Sequence, residues 1–268
     1  MSFIRHFLLA VQFFTRIPVT GQLAYWVGFS PAMLRASAAH FPGVGWLVAG
    51  VAIGVYSVLA TALSATVFSP LVAAALSTVA TLMLTGGFHE DGLADVADGL
   101  GGSTDRERAL DIMKDSRIGA FGAMALTMSL LAKVALLAAL GAQGIHAAVA
   151  CLAAGHVLSR FLPLMLVRAL PHVGDTDTSK SKPLADQISL QSLACAALWC
   201  VPALPLFIWL RGSTALALAL AASGLAFLWM WRLFARRLQG FTGDCLGATQ
   251  QVCEITFYLG AAVAAGLR

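Results

Sequence analysis

Charge is what this sequence has least of. Only 11% of its 268 residues are charged while 59% are hydrophobic, against about 25% and roughly 45–50% in ordinary soluble domains. A water-soluble domain of this length could not cover its surface with so few polar side chains, so a soluble fold is not expected. Paired cysteines are also missing. Cys151, Cys195, Cys200, Cys245 and Cys253 form no Cys-x-x-Cys unit, and at least three sit inside apolar runs where a thiol behaves as a small hydrophobe, which argues against zinc or a disulfide framework. The net charge of +4 has no basic stripe or aromatic-interleaved patch behind it, so nucleic acid is not an expected partner. Neither a small-residue cleavage site after the first apolar stretch nor an internal repeat is present. These absences weigh against a signal peptide and against the inverted-repeat transporters.

Long apolar runs are what the sequence has in quantity. Seven stretches, about 43–64, 68–85, 118–140, 145–167, 190–210, 213–231 and 246–267, approach the roughly 20 residues needed to cross a bilayer. Residues 3–14 are too short to span and fit a helix lying in the membrane interface. The expected fold is therefore all-α: one polytopic helix bundle over 1–268, with about seven transmembrane helices, an N-terminal interfacial helix and the lipid bilayer as solvent. Trp199, Trp209, Trp229 and Trp231 near span ends read as interfacial anchors. The second span is short and ends at Gly86-Gly87, where the helix either stops or kinks into the polar region that follows. Segments 86–117, 168–189 and 232–245 are the polar connections long enough to hold chemistry.

Basic residues orient such a bundle, because Lys and Arg near span ends stay on the cytoplasmic side. Thirteen of the 17 lie in the N-terminal segment and the three long connections, whereas the opposite side has only Arg211 and Arg268; Lys133 and Arg160 fall inside spans. The long connections are thus expected to face the cytoplasm, in a multi-pass membrane protein.

Acidic residues are scarce and concentrated. Of 13 in the chain, eight fall in one segment: Glu90, Asp91, Asp95, Asp98, Asp105, Glu107, Asp111 and Asp115. At about 100° per residue, Asp91, Asp95 and Asp98 fall within about 60° of arc on one helix face. Asp111 and Asp115 repeat the i, i+4 spacing on a second helix, after a break at Gly99, Gly101 and Gly102 that could turn the chain back so that two carboxylate faces converge. Clustered hard oxygens with no cysteine, and only His89 nearby, suit Mg²⁺ or Mn²⁺ rather than zinc or copper, with Mg²⁺ the first expectation. Asp91, Asp95, Asp98 and Asp115 are the expected metal ligands. Asp111, Asp115 or His89 is the expected base, and Arg108, Lys114 and Arg117, with Arg106, are the expected phosphate donors. Glu90, Asp105 and Glu107 point away from both faces in this construction and are expected to be structural.

Two charges outside the segment join the candidate substrate-binding set. Asp244 lies in a Gly-rich approach to the last span, where a capping role competes with function. Arg160 lies inside the fourth span, where a charge is costly and usually faces a cavity or partner. Asp175, Asp177, Ser179, Lys180 and Lys182 read as a polar connection whose lysines could meet an anionic substrate.

The stretch Thr85-Gly-Gly-Phe-His-Glu-Asp-Gly-Leu-Ala-Asp-Val-Ala-Asp-Gly99, followed by Ile112-Met-Lys-Asp-Ser-Arg-Ile-Gly119, closely resembles the signature of the cobalamin synthase family. The likeness extends to Phe14-Thr-Arg-Ile-Pro18, Phe41-Pro42-Gly43, Ser159-Arg160 and Thr242-Gly-Asp-Cys-Leu-Gly-Ala248. It implies an integral membrane enzyme that joins adenosylcobinamide-GDP to α-ribazole or α-ribazole 5′-phosphate, releases GMP and requires Mg²⁺. A more distant likeness is to the CDP-alcohol phosphotransferases. Asp95-Val-Ala-Asp98-Gly99 and Asp111-Ile-Met-Lys-Asp115 match parts of their pattern, but the Ala-Arg after the first Gly is missing and Glu107 stands where a second Gly would fall. From the residues alone three classes stay open: a corrinoid transferase, a lipid phosphotransferase, and a cation transporter with the acidic cluster as its ion site. Whether the chain forms a homo-oligomer is also open.

Overall fold

The computed structural model describes residues 2–174 and 188–267, and its regular elements there are all helical. They are α1 (Ser2–Phe14), α2 (Gly21–Val27), α3 (Pro31–Ser37), α4 (Phe41–Ala62), α5 (Ser69–Thr85), α6 (Phe88–Gly102), α7 (Arg106–Met113), α8 (Ala120–Ala142), α9 (Ile145–Ala169), α10 (Leu190–Cys200), α11 (Ala203–Arg211), α12 (Ser213–Arg237) and α13 (Gly243–Val263). The extended backbone that is present amounts to one parallel bridge between His172 and Phe241. Asp175, Asp177, Ser179, Lys180 and Lys182 lie outside the described residues.

Among the described residues, Pro31–Ala62, Ala120–Ala142, Ile145–Ala169, Leu190–Arg211 and Ser213–Arg237 are long and apolar enough to cross a membrane. The pair α5 and α6, bent by 90°, makes a sixth if it counts as one span. Helix α13 has the length of the expected last span, 21 residues, but Gln250, Gln251 and Glu254 dilute its apolar character. All three are buried against other helices rather than turned to lipid. Helix α1 buries Leu9, Ala10, Val11 and Phe14 and exposes Phe3 and Ile4, the two-sided pattern of an interfacial helix.

Helix α13 lies at the centre, packed on α12, α6, α9 and α8. Two apolar cores flank its polar middle. One holds Phe14, Phe41, Leu93, Met113, Phe234 and Phe241, and the other holds Tyr56, Leu137, Leu152, Phe207 and Phe257.

Two expectations about the connections are corrected. The chain does not turn at Gly99–Gly102, because α6 runs through those glycines and the turn comes at 103–105. Gly99 serves packing instead: a Cβ there would stand 2.8 Å from the Ala109 carbonyl, so its absence lets α7 lie on α6. The 232–245 connection is mostly helix, since α12 continues to Arg237. Arg237 donates to the carbonyls of Leu100 at 3.3 Å and Ser103 at 2.6 Å. Arg106 Nε donates in turn to the Leu238 carbonyl at 2.7 Å. These bonds fix the α6–α7 turn to the end of α12.

Candidate active site

The site begins at the bend. Gly86 and Gly87 have φ of 71° and 70°, left-handed values that cost residues with a Cβ about 1–2 kcal/mol each. Their amides both reach back to the Leu82 carbonyl, closing α5, and α6 leaves at 90°. A Cβ on Gly86 would overlap the Arg16 guanidinium, which rests against the bend, while the Arg16 amide donates to the Leu84 carbonyl at 2.7 Å. The sequence placed Arg16 among the orienting charges; the fold brings it to the head of the acidic helix.

Along α6 the three aspartates have different surroundings. Asp91 is exposed, Asp95 half-buried and Asp98 buried. Asp98 accepts from the Gly119 amide at 2.7 Å and the Gly122 amide at 2.8 Å, so both its oxygens meet the first turn of α8, where a negative charge offsets the helix dipole and its unpaired N–H groups. The spacing that placed Asp98 with the metal ligands could not show this partner. Asp244 approaches from α13, and the charges of Asp244, Asp91 and Asp98 all act on Asp95. The approach depends on close packing: a Cβ on Gly92 would lie 2.8 Å from the Asp244 carbonyl. Thr242, rather than Asp244, is the N-cap of α13, and its hydroxyl also donates to Asp244 Oδ2 at 3.2 Å.

The expected convergence of two carboxylate faces is not found. Asp111 is exposed and pairs with Lys114 at 3.8 Å. Asp115 accepts from Arg117 Nη2 at 2.6 Å, and from the Arg117 Nε and amide at 3.0 Å each. These bonds pull the Asp115 carboxyl down to about 2 and push Arg117 up. A carboxylate with so low a pKa is a poor proton acceptor near neutrality. The physical reason for the miss is that α7 packs on α6 through Ala109 and Met113, beside Gly99, which leaves its charged face outward. Arg108 is exposed on the same helix. Asp105 caps α7 by accepting from the Arg108 amide at 2.8 Å, and Glu107 pairs with Arg106, both structural as expected.

No ion pair joins Asp91, Asp95 or Asp244 to a basic side chain among the described residues, nor are three Asp, Glu, His or Cys side chains there gathered tightly enough to hold a metal by themselves. Magnesium is commonly bound by one or two carboxylates, with water and substrate phosphates completing the shell. The hard, unpaired oxygens of Asp91 and Asp95 fit that chemistry.

The residues the sequence missed lie just inside. Glu254 of α13 accepts from Gln250 at 2.6 Å and from the Tyr258 hydroxyl at 2.9 Å, and meets Lys133 and His156 at 3.3 Å each. Lys133 donates to Gln251 at 2.7 Å; Gln251 donates to Glu90 at 2.8 Å. Glu90, expected to point away from the acidic face and to be structural, is buried and ties α6 to α13 and α8. Arg160 is also buried, donating to the His156 carbonyl at 2.8 Å and lying 5.7 Å over the Phe41 ring; it faces this interior network rather than an open surface. The signal was available. Ionisable residues inside an apolar span mark function, and Lys133 and Glu254 satisfied that test as well as Arg160 did.

Known proteins can now be compared. Residues 6–262 match the family described as Cobalamin-5-phosphate synthase. A relative from Polaromonas naphthalenivorans named adenosylcobinamide-GDP ribazoletransferase is 62% identical over 98% of this chain and 99% of its own. Another with that name from Vibrio cholerae is 46% identical over 94% and 91%. No solved structure matches the chain. With the match spanning the acidic helix, the bend and α13 together, this chain belongs to the Cobalamin-5-phosphate synthase family.

Proposed function

We propose that the chain transfers the adenosylcobinamide phosphoryl group of adenosylcobinamide-GDP to α-ribazole or α-ribazole 5′-phosphate, releasing GMP and forming adenosylcobalamin or its 5′-phosphate. The relatives' shared name over nearly the whole chain supports the substrates. The observation that carries the chemistry is the close packing of Gly92, beside Asp91, on the Asp244 backbone, which brings α6 with Asp91 and Asp95 up to Asp244 of α13, with no basic side chain paired to these carboxylates among the described residues.

Asp91 and Asp95, one helical turn apart, would hold Mg²⁺. Bound there, it offsets the charge of the diphosphate and of the departing GMP. Asp244, in the first turn of α13, takes the proton of the acceptor's ribose hydroxyl. The hydroxyl oxygen forms its bond to the phosphorus on the corrinoid side, the bridging P–O bond breaks, and the electron pair leaves with GMP. Arg16 at the bend and Arg108, Lys114 and Arg117 beside α7 supply donors for phosphate oxygens. Asp98 keeps α6 in register with α8. The bias of basic residues supports an inner membrane location with this face in the cytoplasm.

The test is turnover. Purified protein in detergent, given Mg²⁺, adenosylcobinamide-GDP and α-ribazole 5′-phosphate, should release GMP and the joined corrinoid in equal amounts, and chelation should stop it. An intact donor in a folded, metal-supplied sample would overturn the proposal.

A further inference from the structure

Next to the carboxylates lies a cavity that the phosphoryl chemistry leaves unused. Its walls come from separate parts of the chain: Phe14 of α1, Phe41 of α4, Phe88 and His89 of α6, and Leu246 and Gly247 of α13. It encloses about 520 Å³ with its open mouth included, and His89 is the one polar side chain among its lining residues. The rings around it are aligned. His89 is tilted by only 14° from both Phe14 and Phe41, with centroids 6.5 Å and 5.4 Å away, and Phe14 stacks on Phe41 at 4.2 Å.

His89 is only 2% exposed, and among the described residues neither of its ring nitrogens has a hydrogen-bond partner. A buried polar group without a partner is costly, and a cavity that is otherwise apolar with one such group defines a ligand's shape and polarity. The ligand should be a flat, uncharged heteroaromatic ring whose faces stack on phenylalanine and whose edge offers one hydrogen-bonding nitrogen. Guanine fits poorly, because its carbonyl, amino and ring N–H groups need several partners where the wall gives one. A benzimidazole linked to a sugar has a single free ring nitrogen and an apolar body. The slot is also well placed, because Gly243, the chain neighbour of Asp244, lines it.

We infer that this slot binds the benzimidazole base of the acceptor, with His89 hydrogen-bonded to its free ring nitrogen, so that the attached ribose reaches the carboxylates. This rests on reading the chain as a ribazoletransferase, and it gives His89 a substrate-binding role in place of base catalysis.

Equilibrium binding of α-ribazole to full-length protein in detergent, measured without donor, separates the two readings because it needs no turnover. His89→Phe keeps the stack and removes the hydrogen bond. It should weaken α-ribazole binding about tenfold, the scale of one lost hydrogen bond, and raise the acceptor KM while the KM for adenosylcobinamide-GDP stays put. Phe14→Leu, which widens the slot without touching His89, should improve use of a riboside with a larger fused-ring base relative to α-ribazole. If His89→Phe raises the donor KM instead, the slot holds guanine and the inference falls. Unchanged α-ribazole binding in both variants would mean that water alone meets His89, and would overturn it equally. Wild-type protein that binds α-ribazole in a His89-dependent way yet never releases GMP would count against the proposed reaction and leave the slot assignment standing.

Discussion

Three aspartates that share one helical face do three different things, and only burial and partners distinguish them. Asp91 is exposed and has no partner among the described residues, Asp95 sits among other carboxylates, and Asp98 is spent on the amides of Gly119 and Gly122. Their substitutions should separate accordingly. Asp98→Ala strips two charge-assisted bonds from the start of α8 and should destabilise the protein by about 2 kcal/mol, visible as a lower midpoint of thermal unfolding in detergent. Asp95→Ala relieves like-charge crowding, so it should abolish GMP release with no loss of thermal stability. If Asp98→Ala melted like wild type and Asp95→Ala did not, the assignments would be reversed. Periodicity made the shared face of these residues legible; it carries no information on what a neighbouring helix offers each one.

At the scale of elements, what was legible followed from local rules. Tandem glycines after an apolar run announced the bend at Gly86-Gly87, and apolar length announced the spans. Burial inside the bundle was not announced, because α13 is built from residues that satisfy one another across helices: Gln251 and Glu90 are separated by 161 positions. The same cause hid the outward turn of Asp111, since the packing of Gly99 against Ala109 decides which face of α7 looks out, while Asp115, past the end of α7, is held by Arg117. The buried network now yields a prediction of its own. Lys133 and Arg160 balance Glu90 and Glu254, so removing one member leaves an uncompensated charge, a loss of about 3–5 kcal/mol, whereas removing an opposite pair costs much less. Lys133→Met should therefore unfold at markedly lower temperature, and Lys133→Met combined with Glu254→Met should recover most of the difference. A double variant no more stable than the single would show that Lys133 and Glu254 are not energetically coupled.

For the whole molecule the decisive question is which side of the membrane the acidic helix faces. Both ends of the bundle carry polar groups, but they are unequal. The end with α6, α7 and the α12–α13 turn also holds Arg16, Arg106, Arg108, Lys114, Arg117, Arg236 and Arg237, whereas the turns at 63–68, 143–144 and 211–212 carry Arg211 alone. Lys and Arg near span ends resist translocation, so the basic end should stay in the cytoplasm. The fold adds a second constraint. Helix α4 joins the α1–α3 end to the turn at 63–68, and α5 returns to the bend, so positions 66 and 107 must lie toward opposite ends whichever way the bundle is inserted. Both are exposed, at Thr66 and Glu107. With the five native cysteines replaced, Thr66→Cys should be labelled in intact cells by a membrane-impermeant maleimide, and Glu107→Cys only after the inner membrane is opened. The reverse pattern would place the acidic helix outside and remove the cytoplasmic assignment. Labelling of both positions in intact cells would be harder to reconcile with the fold itself, since it would require α4 and α5 not to cross between them.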